Sequence, residues 1–267
     1  MQVGVYKDLD IEAYHSTDGL SRSGLMEFKK SPSHYWNAYL NENAPAREAT
    51  DAMVFGNAFH TMVLEPNTFD QRYAILPEGI DRRTKQGKED FADFMSKSIG
   101  KTVIKGDQLE TLRQMQQSVY KHPQAWDLIS GALYEHSLFW NDPHTGVKCK
   151  TRPDIWHHNM TADLKTISSA DERTFQRAMV QHGYHFQAAM NREGIFHNDG
   201  KDIKNHTFIC VEKEFPFMVA VYILDHTVID YAHVEFKKLL TSFAECKQNN
   251  DWKGYETKTI FLPNWVE

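Results

Sequence analysis

Asp154, Asp163 and Lys165 stand in an order that suits phosphodiester chemistry. Asp163 and Lys165 are two positions apart in the run MTADLKTI (160–167), so on a β-strand both point to one face. Turn residues His157-His158-Asn159 precede that run, and RPDIW (152–156) precedes the turn, a pattern that predicts a hairpin. With the turn centred between His158 and Asn159, Asp154 faces Asp163 across the pair. Directly opposed residues hold their Cβ atoms roughly 4.5–5.5 Å apart. Two carboxylates at that separation repel unless a cation lies between them. A hard divalent ion meets the need, and Mg²⁺ commonly takes one or two carboxylates plus water and phosphate oxygens. A lysine alongside can orient or deprotonate an attacking water and offset charge building on a phosphate. The same triplet also suits a solvated strand face with a cross-strand ion pair. The apolar neighbours Ile155, Trp156 and Leu164 weigh against that, because buried acids need partners.

The elements that must position these residues follow from periodicity. Residues 1–130 read as mostly helical. Ser21 or Ser23 caps a helix bearing Leu25, Met26 and Phe28, and a second carries Tyr35, Trp36, Tyr39 and Leu40. Further helices are predicted over 52–64 (stopped by Pro66), 88–97 and 107–122. Near Ala132 the pattern changes. LYEHSLFW, the turn residues 141–146 and VKCKTRPDIW predict one hairpin, followed by the strand at 160–167. Helices over 171–180 and 184–196, strands over 206–212 and 218–224, and a long helix over 228–246 complete the chain. The fold class is α/β (α+β), a central mixed sheet flanked by helices. No repeat or linker divides the 267 residues, which read as one domain: helical to about 130, a catalytic sheet core over 131–225, then a helix and tail over 226–267.

Composition narrows the function classes. Hydrophobic residues at 41% and charged residues at 25% are ordinary for a globular protein. The N-terminus carries no signal-peptide pattern and no apolar run reaches membrane length, so the chain reads as cytoplasmic. Cys149, Cys210 and Cys246 are too few and too scattered for a disulfide framework or a cysteine metal site. The 14 histidines show no tetrahedral zinc spacing. A net charge of −6 neither supports nor excludes nucleic acid, since a channel is local. The tract Arg82-Arg83-Thr84-Lys85-Gln86-Gly87-Lys88 is locally basic, and Arg82, Arg83, Lys85 and Lys88 are candidate phosphate contacts or a solvated charge run. Arg152 beside the acids could meet a phosphate or Asp154.

Pro153-Asp154 followed by Asp163-Leu164-Lys165 resembles the PD-(D/E)xK nuclease superfamily. The wider pattern resembles its RecB-like branch and the C-terminal nuclease domain of the RecE (exonuclease VIII) type. GNAFHTMVLEP (56–66), RRTKQGKE (82–89), FWNDPHTG (139–146), RPD (152–154), DLKT (163–166), YHFQAA (184–189) and LPNW (262–265) occur in the order of that family. The resemblance implies that His60, Asp154 and Asp163 hold Mg²⁺, with Mn²⁺ tolerated. It also implies that Lys165 is the catalytic lysine and that Gln187 arranges the site. Read alone, His60 suits a packed core histidine and Gln187 a helix-surface amide. Glu135 falls where related nucleases place an acid, and equally suits a strand edge. The branch carries Gln-x-x-x-Tyr, whereas Asn191 stands four residues after Gln187; Tyr184 is a possible substitute. LSRSGLMEFKKSPSHY (20–35) resembles the branch's N-terminal helices, but Ser31 occupies the cluster cysteine's place, so no iron–sulfur cluster is expected.

The implied activity is Mg²⁺-dependent 5′→3′ degradation of linear double-stranded DNA from its ends. The product would be a 3′ overhang for a RecT-like annealing recombinase, made by a ring-shaped homotetramer. An endonuclease of the same superfamily and a catalytically idle DNA-binding subunit are the alternatives.

Overall fold

The computed structural model describes residues 1–45 and 49–262. The chain begins with strand β1 (Gly4–Tyr6) and helices α1 (Ile11–Ser16), α2 (Arg22–Lys30), α3 (Pro32–Tyr39) and α4 (Asp51–Leu64). Helices α5 (Phe69–Arg72), α6 (Lys85–Lys97), α7 (Gly106–Lys121) and α8 (Pro123–Ile129) follow, with the short parallel pair β2 (Tyr73–Leu76) and β3 (Thr102–Lys105) among them. Strands β4 (Leu133–Tyr134), β5 (Ser137–Asn141), β6 (Lys148–Thr151), β7 (Ile155–His157) and β8 (Met160–Ile167) come next. Helices α9 (Glu172–His182) and α10 (Tyr184–Asp199), strands β9 (Asn205–Glu212) and β10 (Val219–Leu224), and helix α11 (His226–Asn249) complete the order.

Local chemistry explains most boundaries. Ser21, Thr50, Thr84, Asp171 and Asp225 each accept an otherwise orphaned first-turn amide with a side-chain oxygen. Gly183 ends α9 and starts α10 at a φ of +67°, and a Cβ there would lie 2.3 Å from Met26 Sδ. Only glycine satisfies both constraints.

The central sheet has the order β10-β9-β8-β7-β4. β8 and β9 are parallel, joined through α9 and α10, and the remaining pairs are antiparallel. Alternation along β8 splits its residues between two cores. Ala162 and Leu164 pack with Phe59 and Met62 of α4 and Leu112 and Met115 of α7. The opposite face, carrying Ile167, Phe208 and Cys210, packs against Phe175 of α9 and Ala188 of α10. A second sheet, β1-β5-β6, packs with α10.

The mixed sheet with flanking helices matches the expected class. One hairpin does not. The predicted pair across 133–156 is two half-hairpins in different sheets: β5 with β6 beside β1, and β4 with β7 beside β8. Glu135, at a φ of +54°, breaks one arm, and Arg152-Pro153 breaks the other. A non-glycine residue in the left-handed region costs on the order of 1–3 kcal/mol and persists only where its surroundings enforce it. β1, β2 and β3 interrupt the region read as helical; runs of three or four residues leave no readable period. Among the described residues no helix is long and apolar enough to cross a membrane. Of the LPNW motif, residues 263–265 lie outside the described residues.

Candidate active site

The β7–β8 register is the one the turn predicts: Ile155 pairs with Ala162, Trp156 with Thr161 and His157 with Met160. Extended by one step, it sets Asp154 opposite Asp163. There the ladder stops, because Pro153 has no amide to donate. The Asp154 carboxylate takes over, accepting the Leu164 amide at 2.8 Å.

Three side chains from three elements converge on this point. His60 Nδ1 on α4 lies 3.4 Å from Asp154 Oδ2 and 3.9 Å from Glu135 Oε1. These ligand atoms all fall within 4.8 Å of one another. The strained Glu135 delivers its carboxylate here while its own amide donates to the Asp154 carbonyl at 3.2 Å. Arg152 Nε braces the other Glu135 oxygen at 2.9 Å.

A second group adjoins the first. Asp163 is fully buried. Its Oδ1 accepts from Gln187 Nε2 at 2.7 Å and lies 3.8 Å from Lys165 Nζ. Lys165 donates in turn to Gln187 Oε1 at 3.3 Å, so one amide of α10 bridges the acid and the amine. His206 Nε2, from the neighbouring β9, lies 3.0 Å from Asp163 Oδ2.

The charge states follow. Burial alone would raise the Asp163 pKa, but Lys165 and His206 outweigh it and hold the carboxyl below its ordinary range. Asp154 moves the other way: burial pushes it up, Asp163 and Glu135 add to that, and His60 and Lys165 only partly offset it. Burial would strip the proton from Lys165, yet Asp163 and Asp154 raise its affinity, so it stays an ammonium. His60 is also raised, its two acids outweighing burial.

Residues 21–259 match a protein family described as a PDDEXK-like domain of unknown function, DUF3799. The chain belongs to this family. No curated protein sequence matches it. Among solved structures, a Eubacterium rectale protein whose exonuclease assignment is provisional superposes with a TM-score of 0.61 at 15% identity, over 94% of this chain and 96% of its own. A second, SSO0001, reaches a TM-score of only 0.30 at 14% identity, over 73% of this chain and 86% of its own. The first match and the family together establish the PD-(D/E)xK fold.

Within this PDDEXK-like domain, the residues singled out from sequence are distributed unevenly. His60, Asp154, Asp163, Lys165 and Gln187 come together, each in contact with another member. Glu135, given no firm role from sequence, stands with His60 and Asp154, while Asp163 lies across the strand with its oxygens engaged by Gln187 and His206. Arg152 turns inward onto Glu135 and the Leu9 carbonyl (3.0 Å). Tyr184 places its ring 5.2 Å beneath Lys165 Nζ. Asn191 is buried against Thr151 and serves the packing of α10 on β6. The charged side chains of the basic tract are exposed and three of the four meet residues just outside it: Arg82 over Phe91, Arg83 on Asp81, Lys85 toward Glu89.

Sequence reading missed His206. Its one signal was a histidine alternating with Phe208 and Cys210 in an otherwise apolar strand. The parallel register Thr161↔His206 then sets it on the face of Asp163.

Two oxygens and a nitrogen, set around a carboxylate that burial leaves short of positive charge, form a hard-donor set. That chemistry fits a small divalent cation and does not fit a thiolate-seeking metal.

Proposed function

We propose that this chain is a divalent-metal-dependent nuclease that hydrolyses DNA phosphodiester bonds, working from the ends of linear duplexes. The observation that carries the reading is the convergence of His60, Glu135 and Asp154 beside the Asp163–Gln187–Lys165 bridge. Mg²⁺, or Mn²⁺ in its place, suits the first three residues, with Asp163 adjacent, and would supply Lewis acidity toward the scissile phosphate.

The remaining chemistry belongs to the chain. Lys165, beside Asp163 and bonded to Gln187, is placed to donate hydrogen bonds and steady negative charge on the phosphate. Gln187 fixes the lysine and Asp163 relative to each other. Tyr184 offers its ring face to the Lys165 ammonium at 5.2 Å. Arg152 holds Glu135 in its strained conformation, with one carboxylate oxygen left toward His60.

The finer assignment rests on motif resemblance and on the provisional exonuclease assignment of the E. rectale structure. It comprises 5′→3′ polarity, a 3′ overhang, hand-over to an annealing recombinase and a homotetrameric ring. Arg82, Arg83, Lys85 and Lys88 are secondary candidates for DNA contact.

The test compares an end-labelled linear duplex with a covalently closed circle in Mg²⁺, using the native chain, Asp163→Ala and Lys165→Ala. Shortening of one strand of the linear DNA, an intact circle and two dead variants are expected. Cutting of the circle would move the assignment to an endonuclease. Full activity in either variant would overturn the site.

A further inference from the structure

Helix α9 turns Phe175, Ala178 and Met179 into the core and leaves Arg173, Gln176, Arg177, Val180 and Gln181 on its open outer face. Arg173 and Arg177 are one helical turn apart and exposed. Among the described residues, neither guanidinium has a hydrogen bond, an ion pair or a ring contact. The acids at the start of the helix are already engaged: Asp171 caps Thr174 and meets Ser169, and Glu172 accepts from Gln176. Asp171 and Glu172 stay charged but are oriented by neutral donors, which leaves two adjacent exposed guanidiniums free to meet an anionic ligand.

The same helix leads straight into the site. It ends at Gly183, and the next residue, Tyr184, lies beneath Lys165. At 1.5 Å per residue, Arg177 and Arg173 stand roughly 8 and 14 Å back along α9 from its end at His182. DNA rises about 3.4 Å per nucleotide, so those distances correspond to about two to four nucleotides.

We propose that the exposed face of α9 is a track for the DNA sugar–phosphate backbone. Arg173 and Arg177 would hold phosphates a few nucleotides from the scissile bond, with Gln176 and Gln181 as neutral donors beside them. This rests on the nuclease reading for its ligand, but the two fail separately.

The experiment measures duplex binding to the full chain in Ca²⁺ as a function of salt, for the native chain and for Arg173→Gln/Arg177→Gln. Arg113→Gln/Lys121→Gln, the same charge change on the exposed side of α7, is the control. Loss of two phosphate contacts lowers the slope of log K against log salt by about 1.8. That decrease in the α9 variant, absent in the control, is the expected result. An unchanged slope, an equal change in the control, or no duplex binding by the native chain overturns the track. Should the α9 slope fall while Asp163→Ala still cuts DNA, the surface stands and the catalytic assignment fails.

Discussion

Asp142 and Glu193, where the β5–β6 turn meets α10 and α11, are about as buried as Asp154 (1%, 9% and 7% exposed), yet their oxygens are fully partnered. Asp142 accepts from the Thr145 amide and hydroxyl on one oxygen and from Lys237 on the other. Lys237 also reaches Glu193 at 2.6 Å, and His233 meets the second Glu193 oxygen at 2.8 Å. Burial alone would raise both carboxyls; their partners instead hold Asp142 below its ordinary value and Glu193 at about 2. Asp154 has one amide and one imidazole, two further acids nearby, and a carboxyl pushed above the ordinary range. Burial of acids therefore does not mark a site in this fold. Incomplete neutralisation does.

That contrast can be broken in several ways. The largest effect belongs to chemistry: Lys165→Ala should lower DNA hydrolysis by roughly three orders of magnitude, in line with loss of a charge-stabilising group. Lys237→Met should leave the activity of folded protein unchanged. A linear-duplex assay on both variants decides, and equal losses would erase the distinction between the clusters.

Stability reverses the ranking. Removing Lys237 strands two buried carboxylates and should cost ~3–5 kcal/mol in urea unfolding, the usual penalty for breaking a buried pair. In metal-free protein, Asp154→Asn should be neutral or stabilising by up to about 1 kcal/mol, because it removes a charge that burial disfavours while an amide oxygen still accepts from Leu164. A large loss in Asp154→Asn would show that its charge is already balanced.

The pH dependence separates them more finely. Glu193 is lowered from 4.5 to about 2, so its contribution is present above pH 4.5 and is lost as pH falls toward 2. Asp154 is raised, so the folded chain binds that proton more tightly than the unfolded one. Its effect is favourable at low pH and is lost as pH rises through the folded value. Unfolding midpoints between pH 2 and 8 should therefore show a shallower acid-side slope in Glu193→Gln, with Asp142 and Asp163 keeping the remainder, and a reduced neutral-side decline in Asp154→Asn. Unaltered profiles would contradict both signs.

How much of this was legible in the sequence depended on locality. The β7–β8 turn and the alternation of MTADLKTI are properties of adjacent residues, and they fixed the Asp154–Asp163 register correctly. Most helices were readable from the spacing of their apolar residues, and one from its cap, Ser21. The Glu135 break was hidden, because LYEHSLFW carries no glycine or proline where the chain leaves one sheet for another. The same break turned Glu135 toward His60, 75 residues earlier in the chain, which no period or spacing conveys. The partners of Arg152, read from sequence as a phosphate or Asp154, were hidden for the same reason, since Glu135 and the Leu9 carbonyl are tertiary contacts. His206 was readable only once the parallel β8–β9 pairing was known.

Calorimetric titration of the metal-free chain with Mn²⁺ tests the central claim most directly. The native protein should bind the ion at the His60–Glu135–Asp154 cluster, and Asp154→Asn and Glu135→Gln should each weaken that binding by tenfold or more. Undiminished binding in both variants, or none in the native protein, would mean that these side chains do not gather around a cation.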